Sequence, residues 1–110
     1  MQTYQHYING QFVDPKAGVW FESENPYNGE VWASIPRGDA DDVDLAVAAA
    51  KAAFDGEWGQ TGPTQRGKLL VRLAEIVERE AVRLGKIEVR DNGKLIAEMG
   101  AQTKYLAEWY

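Results

Sequence analysis

One histidine and no cysteine narrow the chemistry open to this 110-residue chain. Without a thiol there is no disulfide, no thiolate metal ligand and no cysteine nucleophile within it. His6 falls in a predicted strand beside Asn9-Gly10. No serine or aspartate stands at a spacing that suggests a nucleophile–base pair, so it reads as a packing or surface residue. Asp39, Asp41, Asp42 and Asp44 could be taken for a cation site. They lack EF-hand spacing and stand where a helix must begin, so capping accounts for them better. No G-x-G-x-x-G or P-loop motif is present to cradle a phosphate. Arg66, Arg72, Arg79 and Arg83 are interleaved with glutamates, which points to i,i+4 pairing rather than an anion site. The four tryptophans are scattered among strands and helix ends and read as core rather than as a ligand platform.

The elements that position these residues change character along the chain. His6-Tyr7-Ile8 and Gln11-Phe12-Val13 flank Asn9-Gly10, a dipeptide that tolerates the positive φ angles of a type I′ hairpin. Val19-Trp20-Phe21-Glu22 and Val31-Trp32-Ala33-Ser34-Ile35 flank a second connection, marked by Pro26 and Asn28-Gly29. Two antiparallel hairpins are expected. Asp39 can cap a first helix, with Asp41 and Asp42 at the positive end of its dipole. Val43, Ala46, Val47, Ala50, Ala53 and Phe54 fall on one face of that helix. Gly56 is its expected C′ residue, and Glu57-Trp58-Gly59 breaks it.

A longer helix is expected from Gly62-Pro63, with proline at its first position. Leu69, Leu70, Leu73, Ile76, Val77, Ala81, Leu84 and Ile87 form its stripe, and Gly85 predicts a bend. Asp91-Asn92-Gly93 reads as a turn. A third helix is expected from near Lys94, carrying Leu95, Met99, Gln102, Leu106 and Trp109 on one face, and the sequence ends inside that pattern with no stop signal.

Composition bounds the rest. The length suits one domain, and 45% hydrophobic with 26% charged residues argues against disorder. Twelve basic against seventeen acidic side chains, a net charge of −5, argue against nucleic acid as a partner. The acids concentrate in the front: residues 1–60 hold ten acids and three bases, residues 61–110 seven and nine. No apolar run is long enough for a membrane span, and the polar opening MQTYQHYING is no signal peptide. A cytoplasmic location without membrane contact is expected. The residues alone describe a soluble α+β chain with no visible active site.

Five segments in order resemble the amino-terminal portion of the NAD(P)-dependent aldehyde dehydrogenase superfamily. They are Tyr7-Ile8-Asn9-Gly10-Gln11-Phe12-Val13, Asn25-Pro26-Tyr27-Asn28-Gly29-Glu30-Val31 and Gly38 to Asp44 leading into Ala48 to Phe54. Pro63-Thr64-Gln65-Arg66-Gly67 with its following leucines, and Asp91-Asn92-Gly93-Lys94, complete the set. Leu95 departs from the proline that the family often has after Asn-Gly-Lys.

The resemblance implies an α/β fold: the N-terminal part of a Rossmann-like cofactor-binding domain, two β-hairpins followed by about three α-helices. Residues 1–110 would be an incomplete segment of that domain, its helices packed on a Rossmann core without touching the nicotinamide. The implied parent is a homo-oligomer that uses NAD or NADP to oxidise an aldehyde to a carboxylic acid. In the family the nucleophilic cysteine, the glutamate base, the oxyanion asparagine and the cofactor cleft lie in a part this chain does not contain. The resemblance thus implies no catalysis by these residues alone, and no bound NAD or NADP. It does imply a structural Na+ or K+ held by Ser23, Glu24 (through its backbone oxygen) and Asp91, hard oxygen donors suited to such an ion. The implied partner is the remainder of the fold. The alternative is a non-catalytic module that self-associates, or binds a partner, through Leu69, Leu73, Ile76, Leu95, Met99, Leu106 and Trp109.

Overall fold

The computed structural model describes residues Met1–Tyr110. Its elements run β1 (Gln2–Thr3), β2 (His6–Ile8), β3 (Gln11–Val13), β4 (Trp20–Glu24), β5 (Val31–Pro36), α1 (Ala40–Asp55), α2 (Glu57–Gln60), α3 (Pro63–Asn92) and α4 (Ile96–Tyr105), closing on a 3-10 turn over Leu106–Trp109. The architecture is α/β, with both expected hairpins present. The residues group into two units: Met1–Glu24 with Val31–Thr61, and Asn25–Glu30 with Gly62–Tyr110.

In the first unit, β2 and β3 pair antiparallel with His6 opposite Val13 and Ile8 opposite Gln11. Asn9 (φ 53°) and Gly10 (φ 75°) supply the two left-handed positions of the turn. Tyr7 and Phe12 meet across the pair with rings tilted by 55° and centroids 5.1 Å apart. β4 and β5 pair antiparallel, with a bulge at Ser23/Glu24. β5 also takes β1 on its other side, in parallel, with Gln2 opposite Ala33. Sequence pattern does not announce that third strand, because two polar residues carry no alternation. Tyr4, just beyond β1, stands edge-on to Trp32 at 5.9 Å and accepts a hydrogen bond on its carbonyl from Trp20 Nε1.

Asp39 caps α1 as expected. Its carboxylate accepts from the Asp41 and Asp42 amides, and Asp42 returns the bond to the Asp39 amide, a reciprocal capping box. The expected apolar face of α1 is exposed: Val43, Val47 and Phe54 lie open, and the buried residue of this helix is Asp42. Gly56 does end α1, but with φ −97° rather than in the left-handed conformation of a C′ glycine. The expected break at Glu57-Trp58-Gly59 is instead the short α2, folded back so closely that a side chain on Gly59 would collide with the Phe54 carbonyl. Of the four tryptophans only Trp20 and Trp32 are half-buried; Trp58 and Trp109 are exposed, which corrects their reading as core.

In the second unit, Gly62 and Pro63 start α3 as expected. The predicted bend does not interrupt it, since one helix runs through Gly85 to Asn92; the expected turn comes at its end, on Gly93 at φ 75°, before α4. Gly93 is constrained twice. Its amide closes the helix on the Val89 carbonyl, and a Cβ there would approach Pro26 to 3.1 Å. Gly85 is explained by a neighbour rather than by flexibility: a Cβ would meet Thr103 Oγ1 at 3.1 Å and the Met99 carbonyl oxygen at 3.4 Å, so α4 lies against α3 at this point. Only the second half of the predicted α3 stripe is covered, with Ala81 buried and Leu84 and Ile87 half-buried, whereas Leu69, Leu70, Leu73 and Ile76 are exposed. The inward face of α4 also differs from expectation. Met99 and Thr103 are buried, while Leu95, Leu106 and Trp109 are exposed. Met99 therefore needs no external cover.

Candidate functional site

The most constrained polar group of the first unit is the Asp42 carboxylate. Its Oδ1 accepts from the Lys16 amide at 3.0 Å, its Oδ2 from the Asp39 amide at 3.1 Å, and Oδ2 lies 3.7 Å from His6 Nε2. One side chain thus joins the start of α1, the loop after β3 and the first residue of β2. The Lys16 amide holds Asp42 below the usual carboxylate range; burial pushes the other way, and the Asp39 amide and nearby His6 help to outweigh it. The His6 ring rests against Gly38, where a Cβ would come within 3.2 Å of Cε1. His6 Nε2 itself is buried without a hydrogen-bond partner. His6, Gly38, Asp42, Val43 and Ala46 line a hollow of about 250 Å³. No serine, threonine or cysteine lines it; the one hydroxyl-bearing residue at its wall is Tyr7, which is exposed.

In the second unit an open groove between α3 and the α4 end of the chain is lined by Val71, Ala74, Glu75, Glu78, Lys104 and Tyr105, among others. It too lacks a serine, threonine or cysteine nucleophile. The arginine–glutamate pattern of α3 is realised at i,i+3 spacing, with Arg83 Nε donating to Glu80 at 2.8 Å and thereby holding that carboxyl below its ordinary value. Nowhere do three or more histidine, cysteine or acidic side chains group as a metal site would require, and no helix is long and apolar enough to cross a membrane.

Of the expected cation ligands, Ser23 and Glu24 are consecutive in β4 at its bulge, in the first unit, and Asp91 lies on the last turn of α3, in the second. The hydroxyl, carbonyl and carboxylate oxygens they offer suit an alkali cation. The Asp42 anchor escaped sequence reasoning. An acid three residues after an N-cap acid signals a capping box, but nothing in the pattern tells that its second oxygen reaches Lys16 or that His6 faces it.

The fold has close counterparts among solved proteins. Residues 12–110 match the model of the aldehyde dehydrogenase family. The chain belongs to that family. A curated relative, (Z)-2-((N-methylformamido)methylene)-5-hydroxybutyrolactone dehydrogenase of Acinetobacter baylyi, is 48% identical across 100% of this chain and 22% of its own length. The solved NAD-dependent aldehyde dehydrogenase of Sinorhizobium meliloti superposes with a TM-score of 0.93 at 33% identity, over 97% of this chain and 22% of that one. Betaine aldehyde dehydrogenase of Staphylococcus aureus, solved in complex with NAD+, gives 0.86 at 30% identity, over 94% and 22%. The likeness is to the amino-terminal part of the aldehyde dehydrogenase structures, and the chain spans about a fifth of the length of the relatives it matches.

Proposed function

We propose that these residues are the opening segment of an NAD(P)-dependent, cytoplasmic, homo-oligomeric aldehyde dehydrogenase, part of the shell of its Rossmann-like cofactor-binding domain, whose parent oxidises an aldehyde to a carboxylic acid. The end-to-end superposition on one fifth of such an enzyme carries this reading. Aldehyde oxidation in this family needs a thiolate to attack the carbonyl and a nicotinamide to take the hydride, and these residues hold no cysteine. The 110 residues alone are thus proposed to turn over no aldehyde and to bind no NAD or NADP. The test is the intact mass of the natively produced protein, with an NAD(P)+-dependent aldehyde oxidation assay on the same preparation. The expected result is turnover, abolished by thiol alkylation, in a species far larger than 12.3 kDa, and none from the 12.3 kDa chain. Turnover by the isolated 110-residue chain itself would overturn the proposal.

Exposed Val43, Val47 and Phe54 on α1, and Leu69, Leu73 and Ile76 on α3, support a second reading. In it the isolated chain self-associates through those faces. Light scattering of the isolated chain distinguishes the two states: concentration-dependent growth favours self-association, and a monomer at all concentrations removes it.

The same family reading assigns Ser23, Glu24 and Asp91 to a Na+ or K+ ion. Replacing Na+ and K+ by a bulky organic cation at constant ionic strength should lower the Tm of the parent enzyme, and Asp91→Asn should erase that difference. A salt response left intact by Asp91→Asn would remove the assignment.

A further inference from the structure

The chain contains three Asn-Gly pairs, Asn9-Gly10, Asn28-Gly29 and Asn92-Gly93. Glycine leaves its own amide nitrogen unshielded by a Cβ, so any of the three could close on the preceding side chain. In that reaction the glycine nitrogen bonds to the asparagine Cγ, the Cγ–Nδ2 bond breaks, and ammonia leaves with the amide proton. Water then opens the cyclic imide at either carbonyl, giving aspartate or isoaspartate. The step requires a free glycine N–H, a free asparagine side chain and room for the backbone to rotate.

Two of the pairs are held against it. The Gly29 amide donates to the Asn25 carbonyl at 2.8 Å, while Asn28 donates to Glu30 Oε2 and accepts from the Glu30 amide. The Gly93 amide closes α3 on Val89 at 2.9 Å, while Asn92 accepts from the Lys94 amide at 2.9 Å and donates to Glu88. The Asn9 pair has none of these restraints. No hydrogen bond forms at the Asn9 side chain or the Gly10 amide, Asn9 is exposed, and nothing lies within 4 Å of where a Gly10 Cβ would be. The turn closes a hairpin of only three residues per strand, whose Asp42 anchor contacts the opposite end at His6. Such a two-stranded ribbon opens readily at its tip.

We infer that Asn9 is a modification site, where spontaneous imide formation with Gly10 converts it to aspartate and isoaspartate while Asn28 and Asn92 are protected. The isoaspartyl product places an extra methylene in the backbone of a two-residue turn, which cannot keep Ile8 opposite Gln11. It also presents a free α-carboxylate to enzymes that methylate isoaspartyl residues.

The test is peptide mapping by mass spectrometry after incubation at mildly alkaline pH, in native buffer and in concentrated urea. Isoaspartate is scored separately with an isoaspartyl methyltransferase. In native buffer Asn9 should convert at least about tenfold faster than either other site, the factor expected when one hydrogen bond must break before attack. In urea the three rates should converge, because each pair is Asn-Gly. Native rates at Asn28 or Asn92 equal to that at Asn9, or an Asn9 that converts only in urea, would overturn the assignment.

Discussion

Met99→Ala is expected to destabilise the α3–α4 pair by about 2–5 kcal/mol, the range for truncating a fully buried Met, Leu or Ile. Met99 is 1% exposed and is the largest of the buried hydrophobic side chains, the others being Ala33 and Ala81. The cavity could close little. The Met99 backbone is already drawn against Gly85, and Thr103 Oγ1 donates back to the Met99 carbonyl at 2.6 Å. Urea unfolding followed by far-ultraviolet circular dichroism gives the measurement. Leu95→Ala, four residues earlier at a side chain 67% exposed, should move the midpoint far less. Equal effects at the two positions would mean that α4 is not seated on α3 by Met99.

Acid should weaken the corner around Asp42, and Asp42→Asn should blunt that response. The folded carboxyl titrates below its ordinary value, chiefly because the Lys16 amide bonds its charged form. The unfolded chain therefore takes up a proton at a higher pH than the folded chain does. The stabilisation is in full force above the ordinary aspartate value and fades as pH falls through the lowered folded one. Asparagine keeps an acceptor oxygen but carries no charge, so the Asp42→Asn variant starts with a lower urea midpoint at neutral pH and loses less on acidification. Asp42→Ala should fall further at neutral pH, because the Lys16 and Asp39 amides both lose their acceptor. Parallel acid limbs in the parent and the Asp42→Asn variant would show that Asp42 is not the titrating group.

Local chemistry was legible in the sequence, and tertiary consequence was not. Asn9-Gly10, the Asp39/Asp42 box, Pro63 and Gly93 each act within a few residues of themselves, and the structure uses each at an element boundary. Gly85 misled because a glycine in a helix reads equally as a weak point or as a contact, and only the position of Thr103 decides between them. The α4 stripe misled because Leu95, Leu106 and Trp109 share the period of Met99 without sharing its burial. The parallel pairing of β1 with β5 and the reach of Asp42 to Lys16 join residues distant in sequence, where no periodicity reports on them. The family likeness was legible because it rests on those boundary signals in order, and the match over residues 12–110 bears it out.

The pairing of β1 with β5 also dictates an order of events during synthesis. The β2–β3 hairpin is complete as soon as Val13 has left the ribosome, and its contacts are local. Gln2 and Thr3 must wait for Ala33 and Ser34, and His6 for Asp42. Gln2 and Thr3 thus emerge before the β2–β3 hairpin yet are secured after it, and until then they remain an open strand that cellular chaperones and proteases can reach.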